Sequence, residues 1–297
     1  MSFFFEVLIG GLLSGVMYSL VALGFVLIYK ASGVFNFAQG SLVFFAALTF
    51  VGLREHGFNF ALALLATLGV MIVLGLLIER IVLRPLVNQP QITLFMATIG
   101  LSFVIEGFAQ LLWGANVRGL ELGIQDEPIE QITTYTGMNV SKFDLSAAGI
   151  AALLVTGLAL FFSRTRIGRA LRAVADDHQA ALAVGIPLQQ IWGIVWAVAG
   201  FVALVAGLLW GARNGVQFAL TFVALKALPV LILGGFESIP GAIVGGLIVG
   251  ASEKLAEVYL GPYVGGGIEG WFPYVLALVF LLFRPEGLFG EKHIDRV

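Results

Sequence analysis

The chain has 297 residues, 59% of them hydrophobic and only 11% charged, with a mean hydropathy of +1.00. Soluble domains carry about 25% charged residues, so a water-solvated globule is excluded. The net charge of -2 selects no partner, because in a membrane protein the placement of charge matters more than its sum. Cysteine is absent, which removes disulfides and thiolate metal sites, and three His without an HExxH pattern give no metal site. Apolar runs recur at the length of about 20 residues that crosses a bilayer core. The fold class read from this is an all-α polytopic integral membrane protein with eight or nine transmembrane helices, at least one of them short or broken, in a single membrane domain over 1–297.

In chain order the spans fall at 5–29, 38–53, 58–79, 92–114, 145–163, 188–211, 217–235, 239–260 and 269–284. The first is not read as a cleaved signal peptide: it lacks a basic leader, its only early charge is Glu6, and it is too long for a signal core. The second is short for a full crossing. The seventh carries Lys226 and Pro229, which points to a broken or re-entrant element, tolerated only where protein or water covers the freed backbone. With nine spans and the N-terminus outside, ten Lys and Arg flank the inner ends, including Lys30, Arg80, Arg84, Arg164 and, at the C-terminus, Lys292 and Arg296. Four lie outside: Arg54, Arg118, Lys142 and Arg213. That bias puts the 164–187 loop and the C-terminus in the cytoplasm. Segment 115–144 becomes an acidic extracytoplasmic loop, with a turn expected at Thr136-Gly137.

Four features stand out from the apolar background. The inner loop places Arg166, Arg169 and Arg172 at i, i+3, i+6, nearly one face of a helix. Small, helix-forming sequence then runs to Gly185-Ile186-Pro187, a pattern suited either to anchoring at the membrane surface or to docking a partner. Second, GVFNFAQGS (33–41) interrupts two apolar runs with Asn36 and Gln39; Asn36 suits a cap for the short second span. Third, charge falls inside spans, where it is expensive unless paired or wetted: Glu106, Lys226, Glu253 and Glu257. Lys226 can pair with Glu106 or a glutamate of the eighth span, line a wet cavity, or meet a ligand carboxylate. Glu253 and Glu257 lie close enough to the outer interface to snorkel. Fourth, GxxxG spacings occur at Gly11/Gly15, Gly241/Gly245 and Gly246/Gly250, and Gly200, Ala203 and Gly207 share a face. All mark close helix packing, within the chain or against a second one.

The run QAALAVG (179–185) resembles the EAA motif of ABC importer permeases, with Gln179 in the place of Glu. NFAQG (36–40), ERIVLRPL (79–86), ITLFMATIGLSFVIEG (92–107), GRALRAVADD (168–177), LGGFESIPGAIVGG (233–246) and RPEGLFG (284–290) resemble LivH-type permeases of branched-chain amino acid ABC importers, in order along nearly the whole chain. One departure is Phe236-Glu237, where that family commonly has a small or apolar residue followed by Gly.

The resemblance implies a single ABC importer permease domain carrying no catalysis of its own. Segment 164–187 is then a cytoplasmic coupling loop that docks an ATPase through Gly168, Arg169, Arg172, Asp177, Ala180, Ala181 and Gly185. It implies a path for branched-chain or related amino acids, with Asn36 and Gln39 as candidate path residues; Lys226 joins them as a candidate from its place inside a span. The implied partners are a second homologous permease, two ATP-binding subunits that hold ATP and Mg, and a soluble substrate-binding protein. The implied place is the bacterial inner membrane. No cofactor is expected in this chain. A P-loop needs GxxxxGK[ST], and the sequence has no Gly-Lys pair, so ATP hydrolysis belongs to another chain. The competing reading is an ion-coupled carrier or channel working alone through Lys226 and the eighth-span glutamates; such a carrier has no use for an EAA-like docking loop. A membrane-embedded enzyme lacks the cluster of acid, base or metal groups at one depth that it would need.

Overall fold

The computed structural model describes residues 2–86, 89–176 and 178–290, and these are helical with no strand beyond two isolated bridges. Asp177, Lys292 and Arg296 lie outside the described residues. Six helical segments are long and apolar enough to cross a membrane: Ser2–Ser32 (α1), Phe60–Leu86, Gln91–Trp113 (α4), Lys142–Arg164 (α6), Leu188–Asn214 (α9) and Ile239–Val264 (α12). In the second of these, the α-helix Phe60–Leu77 (α3) continues through a wider-wound turn, Ile78–Leu83. Gln39–Glu55 (α2), the segment Phe218–Gly234 and Phe272–Phe283 (α13) are shorter, and the count of eight or nine spans turns on these three. Short helices Glu130–Thr136 (α5), Arg166–Asp176 (α7) and His178–Ala183 (α8) lie between spans.

The chain divides into two compact units. The first gathers residues 1–22, 123–156 and 225–297. Its centre is the crossing of α1 with α12, and glycine makes that crossing possible. A Cβ at Gly11 would stand 2.7 Å from the Gly250 carbonyl oxygen, and one at Gly250 would stand 2.5 Å from the Gly15 Cα. The Gly11/Gly15 and Gly246/Gly250 spacings therefore serve packing inside this chain. Where backbones approach this closely, dispersion and short polar contacts replace the hydrophobic drive that lipid cannot supply. Ser19 Oγ adds one such contact, 2.9 Å from the Gly15 carbonyl and 3.3 Å from that of Ile243.

Leu228–Gly234 (α11) packs on α12, with Gly245 close to the Val230 carbonyl oxygen. The next turn resets the chain: Gly235 takes φ +99°, Ser238 Oγ accepts the Gly241 N–H at 3.0 Å, and Pro240 sits in the first turn of α12. Hydroxyl cap and early proline match the start signal in the sequence. Residues 127–142 pair as a small hairpin, with Ile129 N–H on the Val140 carbonyl at 3.0 Å and Lys142 N–H on that of Glu127 at 2.9 Å. The turn expected at Thr136-Gly137 is the end of α5, where Gly137 is left-handed.

The second unit gathers residues 23–122 and 157–224. Here α9 packs against both α2 and α3, again through small residues: Gly200 faces the Met71 carbonyl and Gly207 that of Val43. Helices α2 and α4 run parallel, since Phe37 meets Phe95, Phe45 meets Phe108, and Gly52 lies under the Trp113 ring. The seventh span is broken, as Lys226 and Pro229 suggested. A tight 3-10 turn covers Phe218–Phe222, Val223–Lys226 (α10) follows, and α11 restarts at Leu228 with Pro229 in its first turn. Proline lacks an N–H and its ring crowds the preceding turn, so an unbroken helix cannot pass through it undistorted.

Candidate functional site

The GVFNFAQGS stretch makes a compact polar knot at the entry to α2. Its N-cap position is Ala38, and Asn36 lies two residues earlier, its Oδ1 accepting the Ala38 N–H at 3.1 Å. Asn36 thus closes a turn before the helix and is not itself the cap. Its Nδ2 lies 3.4 Å from Gln39 Oε1. Both side chains are 0% exposed, and Gln39 Nε2, packed against Gly24, has no hydrogen-bond partner among the described residues. From α4, the Thr98 hydroxyl accepts the Phe37 N–H at 3.1 Å and lies 3.2 Å from the Phe35 carbonyl, so it pins this broken backbone. Phe37 is the residue of the knot that is exposed.

The carboxylates inside the spans have different surroundings. In the first unit, Glu253 on α12 is 2% exposed and its Oε1 accepts from Lys226 Nζ at 3.2 Å and from the Tyr18 hydroxyl at 3.2 Å. Of the partners open to Lys226 in the sequence, the structure selects the eighth-span glutamate. Glu253 is therefore inside the protein and does not snorkel. Glu257, one turn on, accepts the N–H groups of Gly267 and Glu269, each at 3.0 Å. It braces a loop in which Gly265, Gly266 and Gly267 all have positive φ, a run that side-chain-bearing residues do not sustain. In the second unit, half-buried Glu106 accepts from the Ser41 hydroxyl at 2.6 Å, and no described ion pair includes it.

The inner loop folds as two short helices. Thr165 Oγ1 accepts the Gly168 N–H at 3.2 Å and caps α7. Gly168 is buried because its α-carbon lies against the Phe162 backbone. Leu171 and Val174 are buried at 1% and 0%, while Arg166, Arg169 and Arg172 stay exposed. The three arginines are thus on the outward side, as their spacing predicted, but they are not equivalent. Arg172 donates to the Phe162 carbonyl at 2.9 Å and satisfies one of the last carbonyls of α6. Helix α8 ends in a Schellman motif: Gly185, at φ +84°, donates to the Leu182 carbonyl at 3.0 Å, and Ile186 donates to that of Ala181 at 2.9 Å. Ala181 is buried, whereas Ala180 and Gly185 are exposed.

No individual role for Ser41, Thr98, Tyr18 or Thr165 was legible in the sequence. Each is a hydroxyl inside or beside an apolar run, a signal too common to act on until its partner is known. A further unforeseen pair is the fork from Arg84 to buried Glu79, at 3.0 and 2.8 Å, which closes the widened turn at the end of the third span. Among the described residues no group of three or more His, Asp or Glu is placed to hold a metal.

These elements define a multi-pass membrane protein with polar groups held inside and at breaks of its helices. The family described as "Branched-chain amino acid transport system / permease component" matches residues 7–283, and the chain belongs to it. It is 29% identical to the high-affinity branched-chain amino acid transport system permease protein BraD of Pseudomonas aeruginosa, over 99% of this chain and 98% of that one. It is 26% identical to the corresponding LivH of Escherichia coli K12, with the same coverage. Among solved structures, PsaBC from Streptococcus pneumoniae in complex with Fab matches at TM-score 0.48 and 16% identity, covering 92% of this chain and 89% of that one; at that level it decides nothing here.

Proposed function

We propose that this chain is the permease subunit of an ATP-driven importer for branched-chain or related amino acids, in the bacterial inner membrane with its C-terminus in the cytoplasm. It works with a second, similar permease, two ATP-binding subunits that hold ATP and Mg, and a soluble binding protein that delivers substrate near the 115–144 loop. The chain itself hydrolyses nothing. Membership of the permease family along 7–283 carries the substrate class.

The observation that supports coupling is the way the described parts of the inner loop, 165–176 and 178–186, are held. The loop is capped at both ends, rooted on α6 through Gly168 and Arg172, and it presents Arg169, Ala180 and Gly185 outward. A surface anchor needs basic residues but not a rigid double cap, whereas a lever that transmits force needs fixed geometry at each end. Deleting 176–185 should abolish ATP-dependent leucine uptake in reconstituted vesicles while membrane insertion persists. Uptake that survives the deletion removes the coupling role.

A further inference from the structure

Glu106 holds an exceptional place. It lies about 22 Å from the start of α4 and about 10 Å from its end at 1.5 Å per residue, well inside a span. A carboxylate there is costly unless it is paired or wetted. Its described contact is the Ser41 hydroxyl, 2.6 Å away. The cation that the sequence offered it, Lys226, is bonded to Glu253.

Glu106 is also not isolated in polarity. Thr98, Ser102, Glu106 and Gln110 recur every four residues and so form one ridge along α4. Thr98 and Ser102 are buried at 0% and 4%, and Glu106 and Gln110 are half-buried. Thr98 is spent on the NFAQG knot, and the Ser102 hydroxyl donates to the Ile99 carbonyl of its own helix at 2.6 Å, so Glu106 and Gln110 are the part of the ridge that reaches out of the packed interior.

We propose that the half-buried end of this ridge, Glu106 and Gln110, borders a water-filled path and that Glu106, oriented by Ser41, binds the ammonium group of the amino acid in transit. This rests on the permease reading above. A carboxylate with one oxygen fixed by a hydroxyl donor keeps lone pairs free for an N–H donor, and a charge-assisted bond to ammonium is the strong class of hydrogen bond.

The chain has no cysteine, so single cysteines can report water access directly. In the assembled complex, Glu106→Cys and Gln110→Cys, the half-buried positions of the ridge, should react on this chain with a charged methanethiosulfonate reagent. Phe103→Cys and Leu111→Cys, on the exposed apolar face, should not. Absence of labelling along the ridge overturns the path, whatever the substrate proves to be.

Glu106→Gln should lower leucine uptake by about ten-fold or more, with Glu106→Asp recovering part of it and the partner chains co-purifying as before. Unchanged uptake overturns ammonium recognition. Loss of the second permease from the Glu106→Gln complex overturns it too, by assigning the carboxylate to a contact between subunits. If the unsubstituted complex fails to take up leucine while the ridge still labels, the substrate assignment fails and the path stands.

Discussion

Glu253 and Glu106 are both carboxylates inside spans, and they show two ways a membrane protein carries such a charge. Glu253 is enclosed, with a lysine and a tyrosine on one oxygen. Glu106 is half-buried and has a hydroxyl. An enclosed pair holds helices together, and breaking it leaves an uncompensated charge. A half-buried carboxylate held by a neutral donor adds little to folding and stays available to a solute. Burial and partner charge, not position along a span, separate structure from function here.

The largest effect that would test this contrast is expected at Lys226. Lys226→Met should destabilise the detergent-solubilised protein by about 3 kcal/mol, at the low end for a broken buried pair because the lysine is one-third exposed. Adding Glu253→Gln should recover most of the loss, as read by thermal unfolding. Lost uptake with unaltered stability would instead place Lys226 in the path.

Gly250→Val should cost about 2 to 3 kcal/mol, because its side chain meets the α1 backbone and cannot repack around it. In the inner loop, Arg172→Gln should cost about 1 kcal/mol through the lost cap on the Phe162 carbonyl. Arg169→Gln should leave stability unchanged and lower the ATPase stimulation measured in the complex. Glu106→Gln should likewise shift stability by no more than about 0.5 kcal/mol, since glutamine still accepts from Ser41. A loss as large as that at Lys226 would erase the distinction between the two carboxylates.

Much of the fold was legible. Each span was readable from apolar run length, the break in the seventh from Pro229, and the start of α12 from Ser238 and Pro240, because these signals act within a few residues. The Arg166, Arg169 and Arg172 face was readable from helical period. The role of Arg172 was not, since its acceptor is a carbonyl ten residues away on a helix of unknown direction. Asn36 was expected as a cap; its side chain does accept the N–H two residues on, but the helix starts later, at Gln39, so the contact closes a turn ahead of it.

The sequence by itself determined that this is a many-spanned membrane permease, since membrane insertion and family motifs are written in local composition and order. It did not determine which charges are spent on structure. GxxxG marked close packing without naming the partner helix, and Lys226 had several possible acceptors. Only the tertiary structure set α1 against α12 and gave Lys226 to Glu253, because pairing depends on which faces meet across long separations. That choice left Glu106 with a serine, and so made it the carboxylate to watch.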